Sequence, residues 1–495
     1  MKTLKKVILI DPPAVYPQTL NIGLGWLAAN LVDVTESVKV IPFANISCSV
    51  ADAELVLSRK VASEKPDIVG FNIHCNTYQT VIHMVRDLRT YFKGIIVVGG
   101  PHAMYEKRHI IEDNPEVDIV VMGEAEHSFA RVCSSDYGQY DGIEGVIFRR
   151  GLEIVDNPLN SERKEFVGLK HPDYRQSGVT RIYSEYLIST SRGCPFSCCF
   201  CNPYMGGKFW RARPLDEVFQ ELEFAKKVFD IKKFSVCEPV FNLKPDRVIQ
   251  FCEELIRRKI DLPWASSSGI RADFITRDMI RMMKKSGCTH IKIGVETLVP
   301  EILRHVDKGE TVEDIKRAID IVKAENMPAW GSFIIGLPYD TLRTARLNYQ
   351  LSKKMRFDVT VWSLLFLYPG TKAYDWMKEH GRIYHGIDTA HQSTLDLSVQ
   401  DLKKTPVVNV SCDTPEFPRE ERELAFWEIN TKSGNYVFSV NDPDWVKAIV
   451  ISRAIWKYDK WRIFWHVRRL IKLLIRKAKV MKRDGVRMDF TEGTF

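Results

Sequence analysis

EYLISTSRGCPFSCCFC, residues 185–201, runs from a short apolar strand pattern directly into four cysteines within eight positions, with Gly193 ahead of the first and Phe200 before the last. Cys194, Cys198 and Cys201 form a CxxxCxxC spacing, and Cys199 lies between them. The chain has eleven cysteines and opens on MKTLKKVILIDPP, whose apolar run is short and ends at Asp11 and two prolines. This reads as a first β-strand rather than a secretory signal, and places the protein in a reducing cytoplasm. There a tight thiol cluster points to metal or redox chemistry instead of disulfides. A structural zinc site takes four ligands, usually as two separated pairs, and no second Cys/His pair follows at such spacing. Three ligands in one loop suit an iron–sulfur cluster with one iron left open.

Working outward, the cysteine loop follows the first of six strand candidates: EYLISTSRGC, KKFSVCEP, LPWASSSG, HIKIGVE, PAWGSFIIG and VTVWSLLFLYPG. Helical patterns such as LDEVFQELEFAKKVF and TVEDIKRAIDIVKAE separate them. This alternation predicts a partial (β/α)6 TIM-like barrel over 185–394, with its chemistry at the strand carboxyl ends. Upstream, residues 1–150 also alternate apolar strands (KKVILID, VKVIPF, DIVGFNI, GIIVVGG, VDIVVMG and EGVIFR) with helices. Continuous apolar strands of this kind read as a parallel sheet covered on both faces, a doubly wound, Rossmann-like domain. Its strand ends carry the unusual turns DPPAVYP, NIHCNTY, GGPHA and GEAEHS. GxGxxG is absent, so a dinucleotide reading is weak. Residues 151–184 lack periodicity and read as a linker, and 395–495 as a mainly helical region; the fold class is α/β throughout the first two domains. At 495 residues, several domains are the expected outcome.

The formal net charge of +8 is unevenly spread. From Arg453 to Arg483 there are twelve basic residues against Asp459 alone, leaving the rest of the chain slightly acidic. Within 443–483, Trp461, Ile463, Phe464, Val467, Leu470, Ile471 and Leu474 fall at helical spacing opposite Arg462, Arg469, Lys472 and Arg476. No apolar run approaches the roughly 20 residues needed to span a bilayer, so the pattern predicts a helix lying on an anionic membrane surface. The protein is thus expected to be cytoplasmic and peripheral at the membrane. No nucleic-acid module accompanies the basic stretch, and no nucleic-acid partner is expected.

The CxxxCxxC loop on the first strand of a barrel resembles the cluster motif of radical S-adenosylmethionine (SAM) enzymes, with Phe200 where that family commonly has an aromatic residue. The doubly wound domain ahead of it resembles the cobalamin-binding domain of the cobalamin-dependent branch, through the DPP turn, GLGWLAANL, PDIVGFNI, VVGGPHA and VVMGEAE. The resemblance covers about residues 1–380. It implies a [4Fe-4S] cluster held by Cys194, Cys198 and Cys201, whose open iron chelates SAM. Electron transfer from that cluster would split SAM to a 5′-deoxyadenosyl radical. By the same resemblance Glu238, Arg271, Glu296 and Gly336 lie where the family contacts SAM. Pro12, Asn72, His74, Thr77, Gly99, Gly100, Pro101, His102, Gly123 and Glu124 lie where it contacts cobalamin. The DxHxxG motif is missing, implying a corrinoid with no histidine beneath cobalt.

The implied activity is methylation of an unactivated carbon in a small, amphiphilic or lipid-like substrate: one SAM methylates cobalamin and another yields the radical. Flavodoxin or ferredoxin would be the electron donor. The alternative within the branch is ring formation or rearrangement, as in the anaerobic cyclase of chlorophyll synthesis. A reading from another class, a membrane-associated binding protein with cysteine-bound zinc, is separated from both by the absence of brown iron–sulfur colour.

Overall fold

Strands that are apolar on both sides are stable when both faces are covered, and VILI within KVILID, IVGFN and IIVVG fit that condition. The computed structural model describes residues 4–433 apart from 14–19, 46–48, 160–164, 180, 183–184, 202–206 and 385–409. The basic amphipathic segment expected at 443–483 lies outside the described residues. The amino-terminal elements are β1 (Lys6–Asp11), α1 (Ile22–Leu31), β2 (Ser37–Pro42), α2 (Val50–Glu64), β3 (Ile68–Asn72), α3 (Tyr78–Tyr91), β4 (Ile95–Gly99), α4 (Ala103–Glu106), α5 (Arg108–Asp113), β5 (Ile119–Val121), α6 (Glu126–Ser134), β6 (Val146–Arg150) and β7 (Glu153–Asp156). They build one sheet in the order β2-β1-β3-β4-β5-β6-β7. Its first five strands are parallel. Leu24, Leu31, Phe129 and Val132 of α1 and α6 pack on one face, and Leu57, Val81, Val85 and Ile110 of α2, α3 and α5 on the other. This is the doubly wound sheet expected from the sequence.

The strand order reverses between β1 and β3, and such a switch point opens a crevice at the strand carboxyl ends. Asp11 and Asn72 stand there. Asn21, which caps α1 by accepting from the Leu24 amide at 3.1 Å, also donates to Asp11 Oδ1 at 2.9 Å. One side chain thus ties the helix start to the strand end.

Two features depart from the expected boundaries. Strands β6 and β7 form an antiparallel hairpin on the edge of the sheet, so the sheet continues past 150 into the stretch read as linker. That stretch also folds back: Pro172 and Tyr174 lie so close to Gly25 that a Cβ there would sit 2.8 Å from the tyrosine ring. The glycine of GLGW therefore serves close packing in this fold.

The second half comprises β8 (Tyr186–Ile188), β9 (Ser191–Arg192), β10 (Arg211–Ala212), α7 (Leu215–Phe229), β11 (Phe234–Val236), α8 (Pro245–Arg257), β12 (Trp264–Ser266), α9 (Arg277–Lys285), β13 (Ile291–Glu296), α10 (Pro300–Val306), α11 (Val312–Ala324), β14 (Ala329–Ile335), α12 (Leu342–Lys354), β15 (Val359–Leu364), α13 (Lys372–His380), β16 (Arg382–Ile383), β17 (Cys412–Asp413) and α14 (Arg419–Ser433). Parallel sheets β8-β11-β12 and β13-β14-β15 are joined by bridges Trp264–Cys288 and Ile270–Ile293 into a six-stranded partial barrel. The region after 394 is less purely helical than its pattern suggests: β17 pairs with β16, and α14 packs Ala425, Phe426 and Ile429 into the barrel core.

Gly336, expected near the SAM adenine, has a packing explanation of its own. Its φ is +88°, and a Cβ there would fall on the guanidinium of Arg422, which donates to the Gly336 carbonyl at 3.0 Å. Gly336→Ala should therefore destabilise the protein by about 1–2 kcal/mol from the left-handed backbone alone, with more from displacing Arg422. Urea unfolding of the variant checks this; a loss below about 0.5 kcal/mol, the range of an indifferent surface change, would contradict it.

Candidate functional site

The cysteine loop springs from a two-stranded hairpin, since β9 and β10 pair Arg192 with Arg211 and Ser191 with Ala212. Gly193 follows β9 with φ +86° and turns the chain into the loop. The Cys194 amide donates to Gly207 O at 2.9 Å, closing the loop base. Cys199 faces inward and is buried with Val299, Ile302, Val306 and Leu365, its thiol pushed up to about 12 by burial. Its amide donates to Val306 O at 2.8 Å and its carbonyl accepts from the Ala373 amide at 2.9 Å. Phe200 packs against the same apolar cluster. Cys199, the cysteine outside the CxxxCxxC spacing, is thus the anchor of the loop.

The other three thiols look elsewhere. Cys194 and Cys198 are half-buried and Cys201 is exposed. Desolvation, with the Cys194 thiol adding, raises Cys198 to about 11, and burial raises the Cys201 thiol as well, with Cys198 and Cys194 contributing. Among the described residues no three Cys, His, Asp or Glu side chains gather on a point where one ion would sit. The three thiols lie near enough to act on one another, Cys194 on Cys198 and both of these on Cys201. Metal binding would displace their protons, offsetting the cost that burial imposes on the thiolates.

Beneath the loop lies a buried charge network. Arg271 stacks on Phe196 of the loop at 3.5 Å, donates to Asp273 at 2.8 and 3.0 Å, and donates to Lys308 O at 2.8 Å. Lys308 reaches Glu296 at 3.3 Å and Glu310 at 3.2 Å, and also donates to Gly294 O. Glu296 ends β13 with φ +62°, beside a bulge in the β13–β14 register. Lys308 and Arg271 lower the Cys198 thiol, and Glu296 raises it. Lys308 and Glu310 were missed from sequence: a lysine in VDKGET looks like a solvated turn, and only its burial shows the need for acidic partners.

Glu238 is buried at the end of β11. Its carboxylate accepts from the Thr190 and Ser191 amides at 2.6 and 2.9 Å, and from the Ser191 hydroxyl at 2.7 Å. Burial nevertheless raises it to about 7, the hydrogen bonds opposing the shift. It therefore clasps the strand that leads into the cysteine loop.

Between the two sheets lies a cavity of about 310 Å³. Gly70, Asn72, Gly99, Gly100 and Gly123 line it from the parallel sheet, and Arg192, Gly193, Cys237 and Glu238 from the barrel. Four glycines leave backbone at that wall, and the rest is mainly apolar (Leu9, Phe71, Val97, Val121, Trp26), suiting a broad, flat organic ring. Glu124 lines the cavity too, but its carboxylate is held by Arg211 at 2.5 and 3.0 Å and by Arg192 at 3.4 Å.

Pro12, His74, Thr77, Pro101 and His102 are not in the cavity wall. Pro12 is buried. Thr77 closes a turn by accepting from the His74 amide at 3.0 Å. His102 is fully buried, 4.4 Å from the Tyr78 ring, and burial lowers both His74 and His102 to about 4. Next to it, Tyr105 stacks at 5.8 Å on Tyr368 of the LYPGT turn, whose phenol is raised to about 12 by burial, with the Cys75 and Cys201 thiols adding. The loops after β3 and β4 therefore face the cysteine loop, although these side chains serve the packing between them.

Comparison with known proteins bears on both halves. The B12 binding domain family matches residues 14–133, and the Radical SAM superfamily matches residues 188–351. The chain thus carries a B12-binding domain followed by a radical SAM domain. An uncharacterized methyltransferase of Pyrococcus horikoshii is 26% identical over 386 residues, covering 75% of this chain and 83% of the relative. An anaerobic magnesium-protoporphyrin IX monomethyl ester cyclase of Rubrivivax gelatinosus is 24% identical over 331 residues, covering 63% of this chain and 58% of the cyclase. The radical SAM methyltransferase TsrM of Kitasatospora setae, solved with cobalamin and a [4Fe-4S] cluster, shares the fold with a TM-score of 0.68 at 16% identity, over 91% of this chain and 99% of TsrM.

The radical SAM barrel and the B12-binding sheet thus meet at their carboxyl edges, with Glu238 at the seam. Because its folded pKa of about 7 lies above the ordinary 4.5, the neutral form favours folding. That contribution is complete below pH 4.5, declines as pH rises, and is lost above about 7. Glu238→Gln, which keeps the shape and removes the titration, should gain stability relative to the parent between pH 5 and pH 8.5. Urea unfolding at the two pH values tests this, and a difference that does not grow with pH would refute it.

Proposed function

We propose that this radical SAM enzyme is a cobalamin-dependent C-methyltransferase acting on an unactivated carbon of a small amphiphilic or lipid-like metabolite. The observation that carries the reading is the single cavity walled by both the B12-binding sheet and the strand leading to the cysteine loop. Support comes also from the shared fold of TsrM, solved with cobalamin and a [4Fe-4S] cluster bound, and from the similarity to the Pyrococcus horikoshii methyltransferase. Cys194, Cys198 and Cys201 would hold the cluster, and Asn72, Gly99, Gly100 and Gly123 would face the corrinoid. When bound, the cluster with SAM supplies a hydrogen-abstracting radical and the corrinoid a transferable methyl group.

The chain's own residues supply the enclosure. Leu9, Trp26, Phe71 and Val121 exclude water and stray hydrogen donors that would quench a radical. Cys199 holds the loop while leaving its neighbours free for metal. Arg271 and Lys308 put positive charge beside Cys198, favouring its thiolate. Arg271 and Glu296, each already engaged in the network below the loop, contribute to SAM binding by fixing that wall. An electron donor of the flavodoxin or ferredoxin type and an anionic membrane surface met by residues 443–483 complete the reading.

Ring formation without methyl transfer is a second reading, favoured by the similarity to the anaerobic cyclase. SAM labelled in its methyl group distinguishes the two: label in the product is expected, and an unlabelled cyclised product would overturn methylation. For the cluster, Cys194→Ala, Cys198→Ala and Cys201→Ala should each lose the brown absorption and most of the iron after anaerobic reconstitution. Cys199→Ala should keep both, and equal iron in all four variants would refute the ligand assignment.

A further inference from the structure

The two short strands that bracket the cysteine loop each offer an arginine to the same acidic turn of the B12-binding domain. Arg192 of β9 meets Glu126 at 2.5 Å and Glu124 at 3.4 Å. Arg211 of β10 forks onto both oxygens of Glu124, at 2.5 and 3.0 Å. The two arginines are themselves partners across the β9–β10 ladder. The Arg192 guanidinium also lies 4.1 Å over Phe166 and 5.3 Å over Trp26, so its direction is set by two aromatic rings as well as two carboxylates. Glu126 is buried, and Arg192, Glu124 and Arg211 are largely so. Ion pairs with this geometry resist rearrangement, because opening one leaves a buried charge without its partner.

This clamp touches both sites. Glu124, Glu126, Arg192 and Gly193 belong to the cavity wall, and only Gly193 separates Arg192 from Cys194. Whatever presses on the Glu124–Glu126 turn from inside the cavity therefore presses on both stems of the cysteine loop. We propose that Arg192, Arg211, Glu124 and Glu126 are positioning residues that couple filling of the B12-side cavity to the hold of the cysteine loop on its metal cluster. The proposal rests on the cofactor assignment above and is independent of whether methylation or cyclisation follows. Coupling of this kind is reciprocal: a cluster in the loop must tighten corrinoid binding by the factor by which corrinoid tightens cluster binding.

The test uses the full chain, prepared anaerobically with and without a cluster reconstituted from ferrous iron and sulfide, and titrated with hydroxocobalamin by absorbance. In the parent protein the cluster should lower the Kd by on the order of tenfold. Glu124→Gln with Glu126→Gln should bring the two Kd values together. Exchanging the partners, Glu124→Arg with Arg211→Glu, should restore part of the difference, which a merely structural role would not predict. Should the double glutamine variant fail to fold, Arg211→Lys, which keeps the charge and loses the fork, should still narrow the difference. Equal Kd values in the two parent preparations, or an undiminished difference in the variants, would overturn the coupling. Absence of hydroxocobalamin binding in the parent would overturn the cofactor assignment and the coupling with it, whereas an unlabelled product in the methyl-transfer assay leaves the coupling standing.

Discussion

Two sheets that meet at their carboxyl edges must bury the charged groups caught between them, and here those groups are arginines. Arg213 is enclosed by Glu221, whose other oxygen accepts from the Tyr186 hydroxyl at 2.9 Å, and by the ring of Trp26 at 4.7 Å. Arg192 lies against the same indole and against Phe166, with Glu126 and Glu124 as its acids. A planar guanidinium suits such a seam, because it stacks on aromatic faces while its edge forks onto carboxylates. Removing one partner from a buried pair costs about 3–5 kcal/mol. Arg192 and Arg211 thus join the barrel to the B12-binding sheet through Glu124 and Glu126, at the wall of the cavity.

The cysteine loop obeys a related division of labour. One thiol is spent on anchorage, since Cys199 is sealed in an apolar cluster and its backbone bonds reach two different helices' ends. Its neighbours are left outside that cluster. Below, Arg271 joins the loop, through its stacking on Phe196, to the carboxylates of Asp273 and Glu310 and to the Lys308 carbonyl. The loop is rigid where it must be and leaves chemistry to the residues facing the seam. Glu238, clasping Thr190 and Ser191, extends the same support to the strand from which the loop begins.

Histidines 74 and 102 stand just beyond the carboxyl ends of β3 and β4. Both lie on loops facing the barrel, and both are kept neutral at physiological pH by burial. His102 is committed to ring packing beside Tyr78 and Tyr105, through which the loops reach Tyr368 of the barrel. Gly25 and Gly336 are likewise committed to packing: one makes room for Tyr174, the other for Arg422. In each case the partner is more than 80 residues away along the chain, beyond any local pattern.

Local chemistry determined much of this protein from its sequence. Unbroken apolar strands alternating with helices dictate two parallel, helix-covered sheets, and CxxxCxxC on the first barrel strand marks where metal chemistry is to be sought, because strand periodicity and ligand spacing are short-range properties. The second strand of the 146–156 hairpin, the burial of Lys308 and Glu310, the inward turn of Cys199 and the pairing of Arg192 and Arg211 with Glu124 and Glu126 were decided only in three dimensions. Each depends on which distant surfaces come together, and the desolvation that gives a buried charge its meaning arises only when they do.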